Sequence, residues 1–201
     1  MSILLDAGPA LNFLAVGQQN ILIQIAQSQK LRLAAPARVD SEVIGMSRSD
    51  RFRNTGVRTT WNTLKSSGRV EILPDELTTQ QFADAVARLS GMPARDRVRD
   101  RKSLGEIMVL AHASVFVQQG YDVFVMIDDR DGRRRASQEA QWLRDNGHQQ
   151  RLDLWSTRRV LQAAGRQDGW ITGGLTWEQV YDQMIAYDDG LVPRSQWRRN
   201  A

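Results

Sequence analysis

Asp6 follows a short apolar run, Ile3 to Leu5, and precedes Ala7-Gly8-Pro9. Asp128 and Asp129 follow another, Val123 to Ile127. Glu42 comes shortly after a third, Leu31 to Ala35, and Glu106 lies just inside a segment of helical spacing that opens at Ser103. Carboxylates gathered at one place repel each other unless a cation neutralises them or some bind protons. Hard oxygen donors select Mg²⁺ or Mn²⁺ over softer metals. Such ions activate water and stabilise charge on a phosphodiester during in-line attack. Other chemistries find less material. With 0 cysteines there is no thiol nucleophile, thiolate metal site or disulfide. The 2 histidines, His112 and His148, are too few for a histidine-rich zinc centre. Phosphate loops of the P-loop or G-x-G-x-x-G type and a G-x-S-x-G nucleophile elbow are missing.

Each acid also has a plain structural role open to it. Asp6 can cap a helix that starts near Pro9. Ser103-Leu104-Gly105-Glu106 fits a capping box, in which serine and glutamate side chains satisfy each other's backbone N–H groups. Glu42 can be a solvated helix residue, with Asp40 competing for any role given to it. Asp128-Asp129-Arg130-Asp131-Gly132 has the composition of a turn. His112, on an apolar helix, reads as a satisfied core residue. Trp155 and Trp177 read as partly exposed.

The elements that must position these acids follow from hydrophobic spacing. Ile3 to Leu5, Leu31 to Ala35, Val70 to Leu73, Val123 to Ile127 and Leu152 to Trp155 read as strands. Helices are predicted between them. One runs from Ala10 to Val16 with Pro9 in its first turn. Others carry Ile21, Leu22, Ile25 and Ala26, or span Val39 to Met46. The polar stretch Asp50 to Ser67 reads as helical and partly exposed, anchored by Phe52, Trp61 and Leu64. Thr78 is expected to cap a helix with Phe82, Val86 and Leu89. Ala94 to Lys102 reads as a charged loop. The Ser103 helix is expected to be strongly amphipathic, with Leu104, Ile107, Leu110, Ala111 and Val115 on one face. A helix follows the Asp128 loop to Asn146-Gly147, and others span Thr157 to Ala164 and Thr176 to Tyr187. Strands separated by helices imply parallel pairing, hence an α/β protein, a three-layer α/β/α sandwich with a central parallel sheet. Residues 1–165 form the domain on this reading, and 166–201 a C-terminal helical extension. In open parallel sheets ligands sit at the carboxyl ends of the strands, which is where the acids fall.

At 201 residues, 41% hydrophobic and 25% charged, the chain can fill and cover one core. The net charge of +4 suits a phosphate-bearing partner, though only modestly. No apolar run reaches the roughly 18 residues of a membrane span. The N-terminus lacks a basic n-region, and Asp6 and Pro9 interrupt its apolar run, so no signal peptide is expected. A cytoplasmic location is the expectation.

Taken in order, these segments resemble the motifs of PIN domains. Ile3-Leu4-Leu5-Asp6-Ala7-Gly8-Pro9 resembles the opening strand that ends in the first acid. Ala35-Pro36-Ala37-Arg38-Val39-Asp40-Ser41-Glu42-Val43 resembles the second motif. Leu104-Gly105-Glu106-Ile107 resembles the third, in a subgroup with Gly-Glu where others have Asp. Val125-Met126-Ile127-Asp128-Asp129-Arg130-Asp131-Gly132-Arg133 resembles the fourth, and Trp155-Ser156-Thr157-Arg158-Arg159 the closing strand-to-helix segment. The resemblance covers Ile3 to Gly165. It implies a Mg²⁺- or Mn²⁺-dependent endoribonuclease with Asp6, Glu42, Glu106 and Asp129 as catalytic acids. The metal would be held by Asp6, Glu106 and Asp129, with Asp128 the alternative to Asp129. Arg130, Arg133 and Asn12 are the implied substrate contacts, with the Arg95 to Lys102 stretch a weaker candidate for phosphate. Hydrolysis would leave a 5′-phosphate and a 3′-hydroxyl. Many bacterial members resemble VapC-type toxins, so an antitoxin partner and a homodimer are further expectations. Alternatives are a nuclease of this fold in RNA processing or acting on DNA without an antitoxin, and a noncatalytic scaffold binding nucleic acid or protein. The sequence departs from the pattern after Asp6, where Ala7-Gly8-Pro9 replaces the usual early Ser or Thr.

Overall fold

A computed structural model of the chain describes residues 1–100 and 102–199. The element order is β1 (Ser2–Leu5), α1 (Ala7–Ala15), α2 (Gln19–Ser28), β2 (Arg32–Pro36), α3 (Ala37–Met46), α4 (Val57–Ser66) and β3 (Val70–Leu73). It continues through α5 (Gln80–Ser90), α6 (Ala94–Arg97), α7 (Leu104–Gln118), β4 (Val123–Met126) and α8 (Arg130–Asp145). The last elements are β5 (Leu152–Trp155), α9 (Thr157–Ala164), α10 (Trp177–Ile185) and a 3₁₀ segment, Arg194–Arg199.

Every strand is followed by helix before the next strand, so the strands pair in parallel, in the order β3-β2-β1-β4-β5. Ile3 stands opposite Leu33 on one side and Phe124 on the other. β1 is central, and Ile3, Leu4 and Leu5 are all fully buried. That is why its sequence is unbroken rather than alternating: helices cover both faces. β3 is an edge strand, and there Val70 and Leu73 are buried while Glu71 is exposed. On one face α7 lies across β1, β2, β4 and β5 and packs against α5, α8 and α3; on the other α2 packs on β2 and against α9. The architecture is the expected α/β/α sandwich.

α7 differs from the expected amphipathic helix. Only Glu106, Phe116 and Gln118 keep partial exposure along its length. A helix enclosed by a sheet and three neighbouring helices needs apolar residues nearly all round, so it has no solvent face to mark with charge. Its two enclosed polar residues are matched. His112 Nε2 lies 3.2 Å from Asp75 Oδ1, in keeping with a core histidine. Ser114 donates to Glu139 Oε1 at 2.6 Å, and Arg88 closes the network on Glu139 while its guanidinium carbon sits 3.5 Å over the Trp142 ring. Breaking such a buried group of charges by removing one partner strands the rest.

Local expectations shift elsewhere. Thr79, not Thr78, caps α5, accepting from the Phe82 N–H. Only Val57–Ser66 of the Asp50 to Ser67 stretch is α-helical, because Gly56, at φ 74, starts the helix after a run of turns. The charged stretch after Pro93 contains α6, and Arg97 is buried, donating to the backbone carbonyls of Asp100 and Lys102. Arg97 is thus engaged in holding its own loop rather than presented to a ligand. Trp155 is buried against Phe124, with 4.6 Å between ring centroids, while Trp177 keeps partial exposure. No helix among the described residues is long and apolar enough to cross a membrane.

The C-terminal segment is packed onto the rest. α10 lies against α9 and α1 and buries Val180, Tyr181 and Met184. Gln18 and Thr172 exchange hydrogen bonds, Nε2 to the Thr172 carbonyl at 3.2 Å and the Thr172 N–H to Oε1 at 3.0 Å. Gly165 marks the closest approach: a Cβ there would stand 2.7 Å from Trp177 Cδ1. Its φ of −66 and ψ of −10 suit alanine, so the obstacle is steric alone. Gly165→Ala should therefore lower unfolding stability by about 1–3 kcal/mol. Gly45→Ala, on an exposed helical site with nothing within 4 Å, should be neutral or gain up to about 1 kcal/mol. Denaturant titration of the pair checks this; matching gains would show that α10 does not seat on α9.

Candidate active site

Strand order reverses direction between β1 and β4, since β2 and β3 extend to one side of β1 and β4 and β5 to the other. A crevice opens at the carboxyl edge at such a point, because the connections leave in opposite directions. Asp6 ends β1 there, its backbone N–H donating to the Met126 carbonyl at 3.2 Å. Asp128 follows β4 one residue beyond Ile127. α3 brings Glu42 from the end of β2, and the first turn of α7 brings Glu106.

Asp6 does not act as a side-chain cap for α1. Its carboxyl is pushed up from 3.8 to about 7, first by burial, then by the charges of Glu42, Glu106 and Asp128, with the Ala7 N–H offsetting part of the effect. Glu42, Glu106 and Asp128 are therefore within electrostatic reach of Asp6, whereas Asp129, the acid expected beside it, acts on Glu106 instead. Glu106 does not form the capping box either. Ser103 takes a left-handed conformation, φ 50, and makes no side-chain cap. Burial raises the Glu106 carboxyl; Arg135 counteracts this, and Asp129 and Asp131 add to it. Arg135 Nε lies 3.2 Å from Glu106 Oε1 but out of line for a hydrogen bond, so that buried oxygen still has acceptor capacity.

Two glycines keep room for these acids. A Cβ on Gly105 would lie 3.0 Å from Glu42 Cδ and closer still to Oε2. A Cβ on Gly132 would lie 2.9 Å from Glu106 Cδ and 2.6 Å from Ile127 Cγ2. Glu42 also accepts from Arg38 Nε at 2.9 Å. Its competitor Asp40 is used structurally, taking Trp61 Nε1 and Lys65 Nζ, both at 2.7 Å.

The two aspartates after β4 divide their tasks. Asp128 accepts from the Thr157 backbone N–H at 2.9 Å and from the Thr157 hydroxyl, which ties β4 to the start of α9. Burial raises its carboxyl, Thr157 offsets part of that, and the charge of Asp188 adds to it. Asp129 caps α8 through the Gly132 N–H at 2.9 Å. Asp128 acts on Asp6, and Asp129 on Glu106. Arg130 and Arg133 are exposed in the first turn of α8. Asn12, by contrast, is buried, and its amide donates to Asp188 Oδ2 at 2.6 Å. It positions an acid instead of facing a substrate.

Asp188 is the residue that the sequence pattern did not suggest. Tyr187-Asp188-Asp189-Gly190 reads as a turn, and Asp188 Oδ1 does accept the Gly190 N–H at 2.8 Å. Only the return of the C-terminal segment over α1 carries it to the acidic edge. Stacking of Tyr187 on Phe52 and the Arg51–Asp189 ion pair, 2.9 Å, fix that return.

Among the described residues, no three acids or histidines form a ready cage for a metal ion. The donors are nevertheless of the kind a hard cation takes: carboxylate oxygens, one of them buried and unmatched, beside two positions where a Cβ would intrude. Without a counter-charge, repulsion keeps such groups apart. A roomier hollow, about 610 Å³, runs along α2 and β3, but Glu71 is its one acidic lining residue, so it offers no comparable chemistry.

The raised Asp6 pKa has a measurable sign. The folded carboxyl holds its proton more tightly than the unfolded one, so ionisation costs stability as pH rises from 3.8 through about 7. In chelator, Asp6→Asn should melt above the unsubstituted protein at about pH 8, and the gain should vanish near pH 4. At about 1.4 kcal/mol per pKa unit the gain is bounded at roughly 4 kcal/mol. Thermal melts across pH test this, and an Asn variant that melts lower at alkaline pH would contradict it. Comparison with protein families, curated proteins and solved structures matches none of them.

Proposed function

We propose that the chain is a metal-dependent endoribonuclease of the PIN-domain type, similar to VapC-like toxins. The observation that carries this reading is the convergence of Asp6, Glu42, Glu106 and Asp128, from separate parts of the chain, at the point where the sheet reverses order. Asp6, Glu106 and the Asp128–Asp129 pair would hold Mg²⁺ or Mn²⁺, with Glu42 beside them. When bound, the ion supplies water activation and charge neutralisation at the phosphodiester. The protein supplies position. Thr157 fixes Asp128, Gly105 and Gly132 admit Glu42 and Glu106, and Asn12 holds Asp188 at the margin. Arg130 and Arg133 offer bidentate guanidinium contacts to the RNA backbone. A protein antitoxin filling the acidic edge belongs to this reading through the family resemblance.

Labelled RNA incubated with purified, partner-free protein tests it. Cleavage should require Mg²⁺ or Mn²⁺ and stop in EDTA. Asp6→Asn and Glu106→Gln should each reduce it by more than the roughly 10–100-fold that loss of an outer partner of a metal ligand costs. Absence of metal-dependent cleavage on every RNA and DNA tried would remove the enzymatic reading.

A further inference from the structure

Next to Asp128 the C-terminal segment closes over a small cavity of about 220 Å³. Its lining includes Asp128, Arg133, Arg158, Tyr181, Gly190 and Trp197. Arg133 comes from the first turn of α8 and Arg158 from the first turn of α9, so two helix N-termini converge there with two guanidinium groups. Among the described residues neither guanidinium has a carboxylate within ion-pair distance, although the charge of Arg133 is felt at Asp128. Arg158 Nε is buried and has no hydrogen-bond partner among the described residues. Asp128 does not supply one; its oxygens accept from the Thr157 N–H and hydroxyl instead. Nε itself is closed off from the cavity, so a ligand acceptor would be met by the outer nitrogens of the Arg158 guanidinium, which make no hydrogen bond among the described residues.

The cavity's shape says which part of a nucleotide it suits. It is smaller than the roughly 300–1,000 Å³ of pockets that enclose whole small molecules. Its aromatic residues are also taken. Arg158 covers Trp197 at 3.9 Å, Trp177 stacks on it at 5.7 Å and 4°, and Tyr181 donates to the Val192 carbonyl at 2.9 Å. No ring face is left for a base, whereas paired guanidiniums match a phosphate.

We propose that Arg133 and Arg158, roofed by the segment from Gly190 to Trp197, form a subsite for an internucleotide phosphate beside the cleavage centre. This rests on the ribonuclease reading for its ligand. The C-terminal extension is then part of the substrate site, and the grip on RNA is centred on the backbone rather than the bases.

Fluorescence anisotropy tests it with short, 3′-labelled single-stranded RNA, made with either a 5′-phosphate or a 5′-hydroxyl. The protein carries Asp6→Asn, so cleavage does not intrude. Adding Arg133→Gln or Arg158→Gln should each weaken binding roughly 10-fold. Each should also flatten the slope of log affinity against log salt by about 0.7, the signature of one phosphate contact on a single strand. Both RNAs should respond equally. Arg133 is exposed, so its variant reports on binding without disturbing the fold. Unchanged affinity and slope in Arg133→Gln overturns the proposal, even if Arg158→Gln binds less after losing its stack on Trp197. A loss confined to the 5′-phosphorylated RNA, or no RNA binding before the arginines are changed, also overturns it. The two readings fail separately. Arginine-dependent binding by a protein that never cleaves keeps the subsite and removes the nuclease; cleavage with indifferent arginines does the reverse.

Discussion

The crowding of half-buried carboxylates at the end of β1 is the constraint on which this structure turns. Asp6 holds its proton to about pH 7 because it is enclosed beside Glu42, Glu106 and Asp128. A fold selected for stability alone has no reason to assemble that group. Its neighbours are arranged to tolerate it. Gly105 and Gly132 withhold the side chains that would collide with Glu42 and Glu106, Thr157 satisfies Asp128, and Arg135 offsets part of the charge on Glu106. The two glycines and Thr157 sit at the starts of helices and Arg135 lies in the second turn of α8, so the rigid sandwich sets the geometry.

Most of that scaffold was legible in the sequence, because its signals are local. The five strands fell where apolar runs stood between helical segments, and the both-face burial of β1 is visible in Ile3-Leu4-Leu5. Parallel order followed from the alternation of strands and helices. α7 departs from its expected amphipathic form because a helix enclosed on nearly every side carries no polar stripe. Ser103-Leu104-Gly105-Glu106 matches a capping box in letters only. The left-handed Ser103 makes no cap, and Glu106 instead turns toward Gly132. Arg97 illustrates the opposite case, a charge within a charged run that ends up buried on its own loop's carbonyls.

The candidate site was legible as four acids and illegible as a surface. Asp188 lies 176 positions from its hydrogen-bond partner Asn12, and no local pattern links them. The same is true of Arg158 and Trp197, whose contact depends on the chain returning over α9 and α10. The extension therefore closes the acidic edge as well as lengthening the domain. It adds a carboxylate, an aromatic stack and a roof over two arginines. A pairing that exists only through tertiary return has no signature in spacing.

Mn²⁺ binding followed by electron paramagnetic resonance is the direct test of whether these acids share a divalent cation site. The metal-free protein should bind Mn²⁺ saturably at neutral pH, with the ion displaced by excess Mg²⁺ and binding lost in Asp6→Asn. Binding should weaken as pH falls below about 7, where Asp6 regains its proton. Free Mn²⁺ spectra unchanged by the protein, or binding indifferent to the loss of Asp6, would contradict a shared site.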